Sequence, residues 1–475
     1  MLFNSFEFLL FFPVVTALYF AVPLKVRWGV LLVASSLFYM AFIPKYLLII
    51  YATIVVDYLA GLMIERSSGR RRTMFLVTSI IANVSALALF KYCNFFIDNA
   101  TALSAALGLP ATFSHWDIIL PIGLSFHTFQ AMSYTIEVYR GNVPAERNFA
   151  VYALYVLFYP QLVAGPIERP QNIMHQLREE HAWDPVRATR GMQLMLWGFF
   201  KKVVVADRLA HFVDVAYANP DAWSGPILLL ATAAFAFQIY ADFSGYSDIA
   251  IGAADVMGIR LMTNFRQPYF SRSVSEFWTR WHISLSSWFR DYVYIPLGGS
   301  RLGPWRTRAS LMITFLLSGL WHGASWTFVA WGALNGAYLV IERALGLQHG
   351  RSLWRMPVTF ALILSSWVFF RSSSMAQAMA VFAGCARDWS SALHPGALLT
   401  ALDRSELDWY KLAAAAGGVV VLLVVDALLW RRDLEVSAWL RGLARLPRWS
   451  FYYAAGACIA LLGSYGEQEF IYFQF

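Results

Sequence analysis

The chain has 475 residues, of which 59% are hydrophobic and 14% charged, where ordinary soluble proteins carry about 25% charged residues. Its mean hydropathy is +0.52 and its formal charge +8. These totals exclude a soluble globular enzyme and describe a polytopic membrane protein. They also exclude nucleic-acid binding, because the basic residues flank apolar segments instead of forming one soluble face.

Apolar runs at 6–20, 47–63, 74–90, 151–162, 227–240, 311–334, 358–370, 412–429 and 452–462 predict membrane spans. Some reach the roughly 17–25 residues a span needs only when their flanks are counted. The expectation is an all-α protein with roughly ten to twelve embedded helices. The first run lacks a basic segment before it and a small-residue cleavage site after it, so it is expected to be retained and not removed as a signal peptide. The turn with Lys25 and Arg27, the cluster Arg66, Arg70, Arg71 and Arg72, and the cluster Arg431, Arg432, Arg441, Arg445 and Arg448 place those loops in the cytoplasm. The N-terminus is then expected outside. Cys93, Cys385 and Cys458 are scattered singly, which gives no disulfide framework and no thiol metal site.

No soluble domain interrupts the runs. A single transmembrane domain over 1–475 is expected, with N-terminal spans to 110, a core over 115–345 and C-terminal spans from 354. No internal repeat is visible, which weakens a transporter reading. The most unusual interval is 258–310, with eight arginines (260, 266, 272, 280, 290, 301, 306 and 308) against two acids, Glu276 and Asp291. Within it Trp278, Trp281, His282, Leu285, Trp288, Phe289 and Tyr292 fall at helical spacing and predict one aromatic face. Such a helix lies at the interface or re-enters the membrane, and Pro296, Gly298 and Gly299 end it. Two readings fit: an aromatic anchor held by arginines, or a rim that collects an anionic, phosphate-bearing substrate.

An ionisable group inside a span signals function unless a partner explains it. His322 is the sharpest case. In a helix over 311–334 it would lie about 17 Å from either end at roughly 1.5 Å per residue. Ser318, Gly319, Ser325 and Trp326, three and four positions away, leave room beside the ring. The competing reading is a core histidine, with Gly319, Gly323, Gly332 and Gly336 serving only close helix packing. Other polar groups in apolar sequence are Asp57, His127, Glu137, Gln161, Gln238, Asp242, Asp248 and Asn335. Asp242 and Asp248 are read as orienting or pairing with members of a polar pocket. No metal site is expected, and no phosphate-loop, dinucleotide, serine-elbow or zinc-protease motif is present.

The runs FWTRWHISLSSWFRDYVYIPLGGSR (277–301) and LLSGLWHGASWTFVAWGALNG (316–336) resemble the membrane-bound O-acyltransferase (MBOAT) family. Further matches are PIGLSFHTFQAMSYTIEVYRG, FYPQLVAGPIERP, FQIYADFSGYSDIAIG, NFRQPY and the terminal FIYFQF, so the resemblance covers nearly the whole chain. It is closest to the bacterial branch containing the alginate O-acetyltransferase membrane subunit and the teichoic-acid D-alanyl transfer protein. One departure is His127, where a tyrosine is expected in many relatives.

The resemblance implies the MBOAT fold, with re-entrant segments and helices around a thin central zone and a tunnel or two funnels meeting near a buried histidine, His322. It implies that His282 is the second histidine. A neutral imidazole, with a reference pKa of about 6.5, can accept a hydroxyl proton, a role worth about 10² to 10⁴ in rate. The expected donor is cytoplasmic acetyl-CoA, its phosphates held by some of Arg266, Arg280 and Arg290. Ser318, Trp321, Ser325, Trp326, Asn335, Asp242 and Gln238 are expected to line the substrate pocket, and Trp321, Asn335 and backbone amides are candidate oxyanion donors. The expected setting is the bacterial inner membrane and its lipid, with a periplasmic acetyl-relay partner. The expected acceptor is an alginate-like or cellulose-like exopolysaccharide. Peptidoglycan O-acetylation, D-alanyl transfer, transport and an envelope scaffold stand as alternatives.

Overall fold

A computed structural model describes all residues except 110–112, 119, 351, 394–395, 397–408, 466–469 and 472–475. Of the FIYFQF motif, only Phe470 and Ile471 are therefore described; positions 472–475 lie outside the described residues, as does most of the polar stretch before residue 409. The described residues form helices and connecting segments without a strand. The protein is an all-α, multi-pass membrane protein. Among the described residues, four helices are long and apolar enough to cross a bilayer by length and composition, within Tyr46–Arg66, Gly69–Ala106, Gly225–Met257 and Tyr410–Arg432. The chain divides into two compact units, one of residues 1–191 with 250–262 and one of 192–249 with 263–475.

In the first unit, Ser5 caps the helix Phe6–Ala21 by accepting a hydrogen bond from Phe8 N at 3.3 Å. The helices Leu24–Met40, Tyr46–Arg66 and Gly69–Leu87 follow, the last running through a π-helical turn into Cys93–Ala106. A polar cluster is closed inside them: Asp57 accepts from Ser79 Oγ at 2.5 Å and from Asn83 Nδ2 at 2.9 and 3.0 Å. Asp57 is thus a satisfied structural group. His127, on the helix Leu124–Arg140, lies fully buried with Nε2 2.5 Å from Thr53 Oγ1. Outside the spans, half-buried Asp184 starts the helix Pro185–Phe199. The amides of Arg187 and Val186 hold its carboxyl below the usual range.

The helix Gly225–Met257, whose residues to 249 belong to the second unit, has 78% of its apolar window buried, against 17–33% for the other three candidates, so protein and not lipid surrounds most of it. Gly198 and Gly245 let a second helix approach closely: a Cβ on either would meet the other's carbonyl oxygen at 2.6 or 2.8 Å. The chain then passes through a π-helical stretch, Phe200–Ala206, which carries Lys201 and Lys202.

Two predicted helices differ from the structure. The run 311–334 is two helices, Pro304–His322 and Trp326–Ala344, turning back on each other, so His322 sits at a helix end and not mid-span. The apolar periodicity is the same for one long helix and for a hairpin, and only Gly323, a weak helix former, and Ser325, a residue type that favours helix starts, mark the turn. The glycines make the turn possible. A Cβ at Gly319 would strike the carbonyl oxygen of Phe328, and one at Gly332 that of Phe315. The aromatic stretch 274–294 is likewise broken, into Val274–Arg280, Ile283–Phe289 and a π-helical turn Arg290–Tyr294.

Because the hairpin packs backbone to backbone, Gly319→Val or Gly332→Val should destabilise the detergent-solubilised protein by about 1–3 kcal/mol. The measurement is a fall in Tm. An unchanged Tm for both would show that the helices do not depend on this approach.

Candidate active site

The two helix interruptions bring together two histidines forty positions apart. The His282 and His322 ring centroids are 6.5 Å apart. His322 is the last residue of its helix, and the amide of Gly323 closes that end on the carbonyl of Gly319 at 3.3 Å. Around it stand Trp321, Trp331 and Phe370, each edge-on at 4.9, 5.0 and 5.3 Å. His322 keeps 5% of its surface exposed and His282 none.

His282 occupies the left-handed region, φ +44° and ψ +54°, a conformation that non-glycine residues adopt only when their surroundings hold it. Asn264 holds it. Its carbonyl accepts from Ile283 N at 2.9 Å, its Oδ1 accepts from Ser284 N at 3.2 Å and from Ser284 Oγ at 2.9 Å, and its Nδ2 donates to Ser247 at 3.2 Å. The preceding helix is fixed at its other end by Glu342, whose carboxylate accepts from Val274 N at 2.6 Å and Ser275 N at 3.2 Å. The Phe243 ring meets the His282 ring edge-on at 4.5 Å.

Of the predicted pocket residues, Trp321 touches both histidines, at 4.9 and 6.1 Å between centroids, and buried Ser318 lies one turn before His322. Asn335 is fully buried, and its Nδ2 donates to Trp331 O at 2.9 Å. Its Oδ1 and the Trp331 Nε1 make no hydrogen bond among the described residues. Other predicted residues lie elsewhere. Trp326 is 57% exposed, and Ser325 Oγ pairs with Thr327 Oγ1 at 2.7 Å, because both belong to the turn and the start of the returning helix. Asp242 is occupied by Lys202 at 2.7 Å and by Ile471 N at 2.8 Å, while Gln238 is buried with Oε1 making no hydrogen bond among the described residues. Asp248 pairs with Lys201 at 2.6 Å.

The three predicted donor-binding arginines carry carboxylate partners: Arg266 with Asp433 at 3.0 Å, Arg280 with Glu276 at 3.0 Å and Arg290 with Asp291 at 2.8 Å. Arg266 N also donates to Arg280 O at 2.9 Å, which brings these two positions side by side. Among the described residues no cluster of three His, Cys, Asp or Glu side chains could hold a metal ion.

Sequence reasoning missed Asn264, Glu342, Lys201, Lys202, Trp331 and Phe370 as builders of this region. For the two lysines a signal existed, since FFKKVVVAD sets adjacent ammonium groups in an apolar run that must find acids. For Trp331 and Phe370 there was none, because nothing in an aromatic-rich chain singles out which rings meet the histidine.

This is a multi-pass helical membrane protein with a buried imidazole pair in an aromatic enclosure. Residues 144–378 match the membrane-bound O-acyltransferase family. The chain is 39% identical over 435 residues to a probable alginate O-acetylase of Azotobacter vinelandii, covering 89% of this chain and 84% of that protein. It is 41% identical over 388 residues to the probable alginate O-acetylase of Pseudomonas aeruginosa, covering 79% and 73%. With the peptidoglycan O-acetyltransferase of Helicobacter pylori it shares 35% over 387 residues, covering 74% and 72%. The chain belongs to the membrane-bound O-acyltransferase family and is an O-acyltransferase.

Asn264→Ala removes a helix cap and an orienting bond at once. It should cost about 1–2 kcal/mol of stability and release His282 from the left-handed region. Asn264→Asp, which keeps both acceptors, should lie nearer wild type in Tm and turnover. Equal behaviour of the two variants would show that the Oδ1 contacts do not hold the break.

Proposed function

We propose that this protein takes acetyl groups from cytoplasmic acetyl-CoA and passes them across the bacterial inner membrane for O-acetylation of an exopolysaccharide, alginate-like or cellulose-like, through a periplasmic relay protein. The observation that carries the reading is the pairing of His322, partly accessible, with His282 6.5 Å away in an apolar enclosure. In this reading the acceptor hydroxyl gives its proton to the His322 imidazole as its oxygen attacks the thioester carbonyl. The tetrahedral intermediate collapses, the C–S bond breaks, and the departing thiolate recovers the proton from the imidazolium. His282 positions the donor.

The developing oxyanion needs a donor. Asn335 is poorly suited, because its Nδ2 is engaged with Trp331 O and the atom left over is an acceptor. Trp331 suits better: its Nε1 makes no other hydrogen bond among the described residues, and its ring lies 5.0 Å from that of His322. Donor phosphates take the arginine rim. Its ion pairs are half-exposed or more for Arg266 and Arg290, and such pairs are worth about 0–1 kcal/mol, so a phosphate can replace them. By the positive-inside rule the N-terminus lies in the periplasm. A second reading, peptidoglycan as acceptor, is favoured by the Helicobacter relative.

In cells where this chain is the sole copy, His322→Ala should lower ester-linked acetate on the surface polymer by about 10² to 10⁴ in rate at unchanged protein abundance. Full acetylation by that variant would overturn the base role, and acetate found on muramic acid instead of the exopolysaccharide would select the second reading. Arg280→Ala should raise the KM for acetyl-CoA about tenfold, the loss of one charge-assisted hydrogen bond, with kcat near wild type. An unchanged KM would remove Arg280 from the donor site.

A further inference from the structure

Lys202 lies buried between two carboxylates, 2.9 Å from Asp207 and 2.7 Å from Asp242. Asp242 turns its second oxygen to the backbone, accepting from Ile471 N at 2.8 Å. Neighbouring Phe470 is fully buried, with its ring 4.8 Å from Tyr246 and 5.7 Å from Phe243. Phe243 in turn meets His282 at 4.5 Å. Asp242 and Phe243 are adjacent on one helix, so a single stretch of it carries the charged clamp and the ring that touches the histidine.

A Lys–Asp pair in an apolar interior costs desolvation that a hydrophobic replacement would avoid, so its presence calls for a specific use. Asp207 already gives the ammonium a carboxylate partner. Asp242 adds the hold on a distant segment. The Ile471 amide is buried and therefore needs a fixed acceptor. The carboxylate supplies one, and the ammonium of Lys202 holds that carboxylate in place.

We propose that Lys202 and Asp242 are positioning residues: they clamp the Phe470–Ile471 segment so that Phe470 braces Phe243 against His282 and fixes that ring relative to His322. This rests on the reading that the two histidines form the reaction centre. The effect is geometric. Displacement of a positioned group by about 1 Å can cost roughly 10² in rate without changing how substrate binds.

The test uses the full chain in native membranes with acetyl-CoA as the probe, following thiol release. Phe470→Ala and Asp242→Asn should each lower kcat by about 10²-fold with KM for acetyl-CoA within about twofold and with wild-type abundance and elution after detergent extraction. Because both act through one segment, the double variant should be no slower than the worse single one, a non-additivity that independent sites do not show. Phe470→Leu, which refills part of the space, should recover part of kcat. The proposal falls if the two losses multiply, if KM moves with kcat, or if loss of activity only follows loss of folded protein. His322→Ala is assayed beside them. If it is inactive while both variants turn over like wild type, the clamp alone is wrong; if it too is active, the site reading fails and the clamp with it.

Discussion

A helix that stops inside a membrane protein leaves amides and carbonyls that lipid cannot satisfy, and the second unit is organised around two such stops. One lies at His282, the other at Gly323. Both are closed from within: Asn264 takes the amides of Ile283 and Ser284, where the helix restarts after His282, and the amide of Gly323 closes the other end on the carbonyl of Gly319. The imidazoles are where the breaks are. A side chain at a helix terminus is carried by backbone that departs from the regular path, so it can be aimed across the axis instead of along a packed face. Two continuous helices would have put His282 and His322 on fixed stripes, each facing whatever neighbour the stripe met.

The same constraint explains the charges. Lys201 and Lys202 sit in an apolar segment, and each is matched by acids on the central helix, Asp248 and Asp242, with Asp207 and, through Tyr240 at 2.7 Å, Asp426 nearby. Removing either lysine would leave carboxylates without their charge partner, a cost that exceeds what the pair contributed. The glycine contact between Gly198 and Gly245 belongs to this arrangement, since the two helices must nearly touch for lysine side chains on one to be enclosed by carboxylates on the other.

Much of this was legible in the sequence and some of it could not be. Membrane character follows from composition, and the motifs around His282 and His322 mark the family. The polar residues of the apolar runs were visible as anomalies, and for Asp57, Asp242 and Asp248 the structure supplies a hydrogen-bonding or charged partner. The helix breaks were not legible. Periodicity reports which face is apolar and not whether the axis continues, so 311–334 and the aromatic face over 278–292 each read as one helix. Register across the break was lost with it: counting three and four positions past His322 reached Ser325 and Trp326, which a continuous helix would place beside the ring and a hairpin places at the turn. Long-range partners were beyond reach for a different reason. Nothing near Asn264 or Glu342 states that their acceptors serve amides twenty and sixty-eight positions away.

What separates the two histidines is access. His282 is sealed on all sides and its backbone is locked by Asn264, which suits a group whose position matters and which does not itself exchange protons with an arriving substrate. His322 retains a small accessible surface, sits at a turn, and has beside it the Trp331 ring and the small residues Ser318 and Gly319. A general base must meet the hydroxyl whose proton it takes at hydrogen-bond distance, so a ring with no accessible edge cannot fill the role without rearrangement. Burial and backbone conformation thus support the proposed assignment of base to His322 and of positioning to His282.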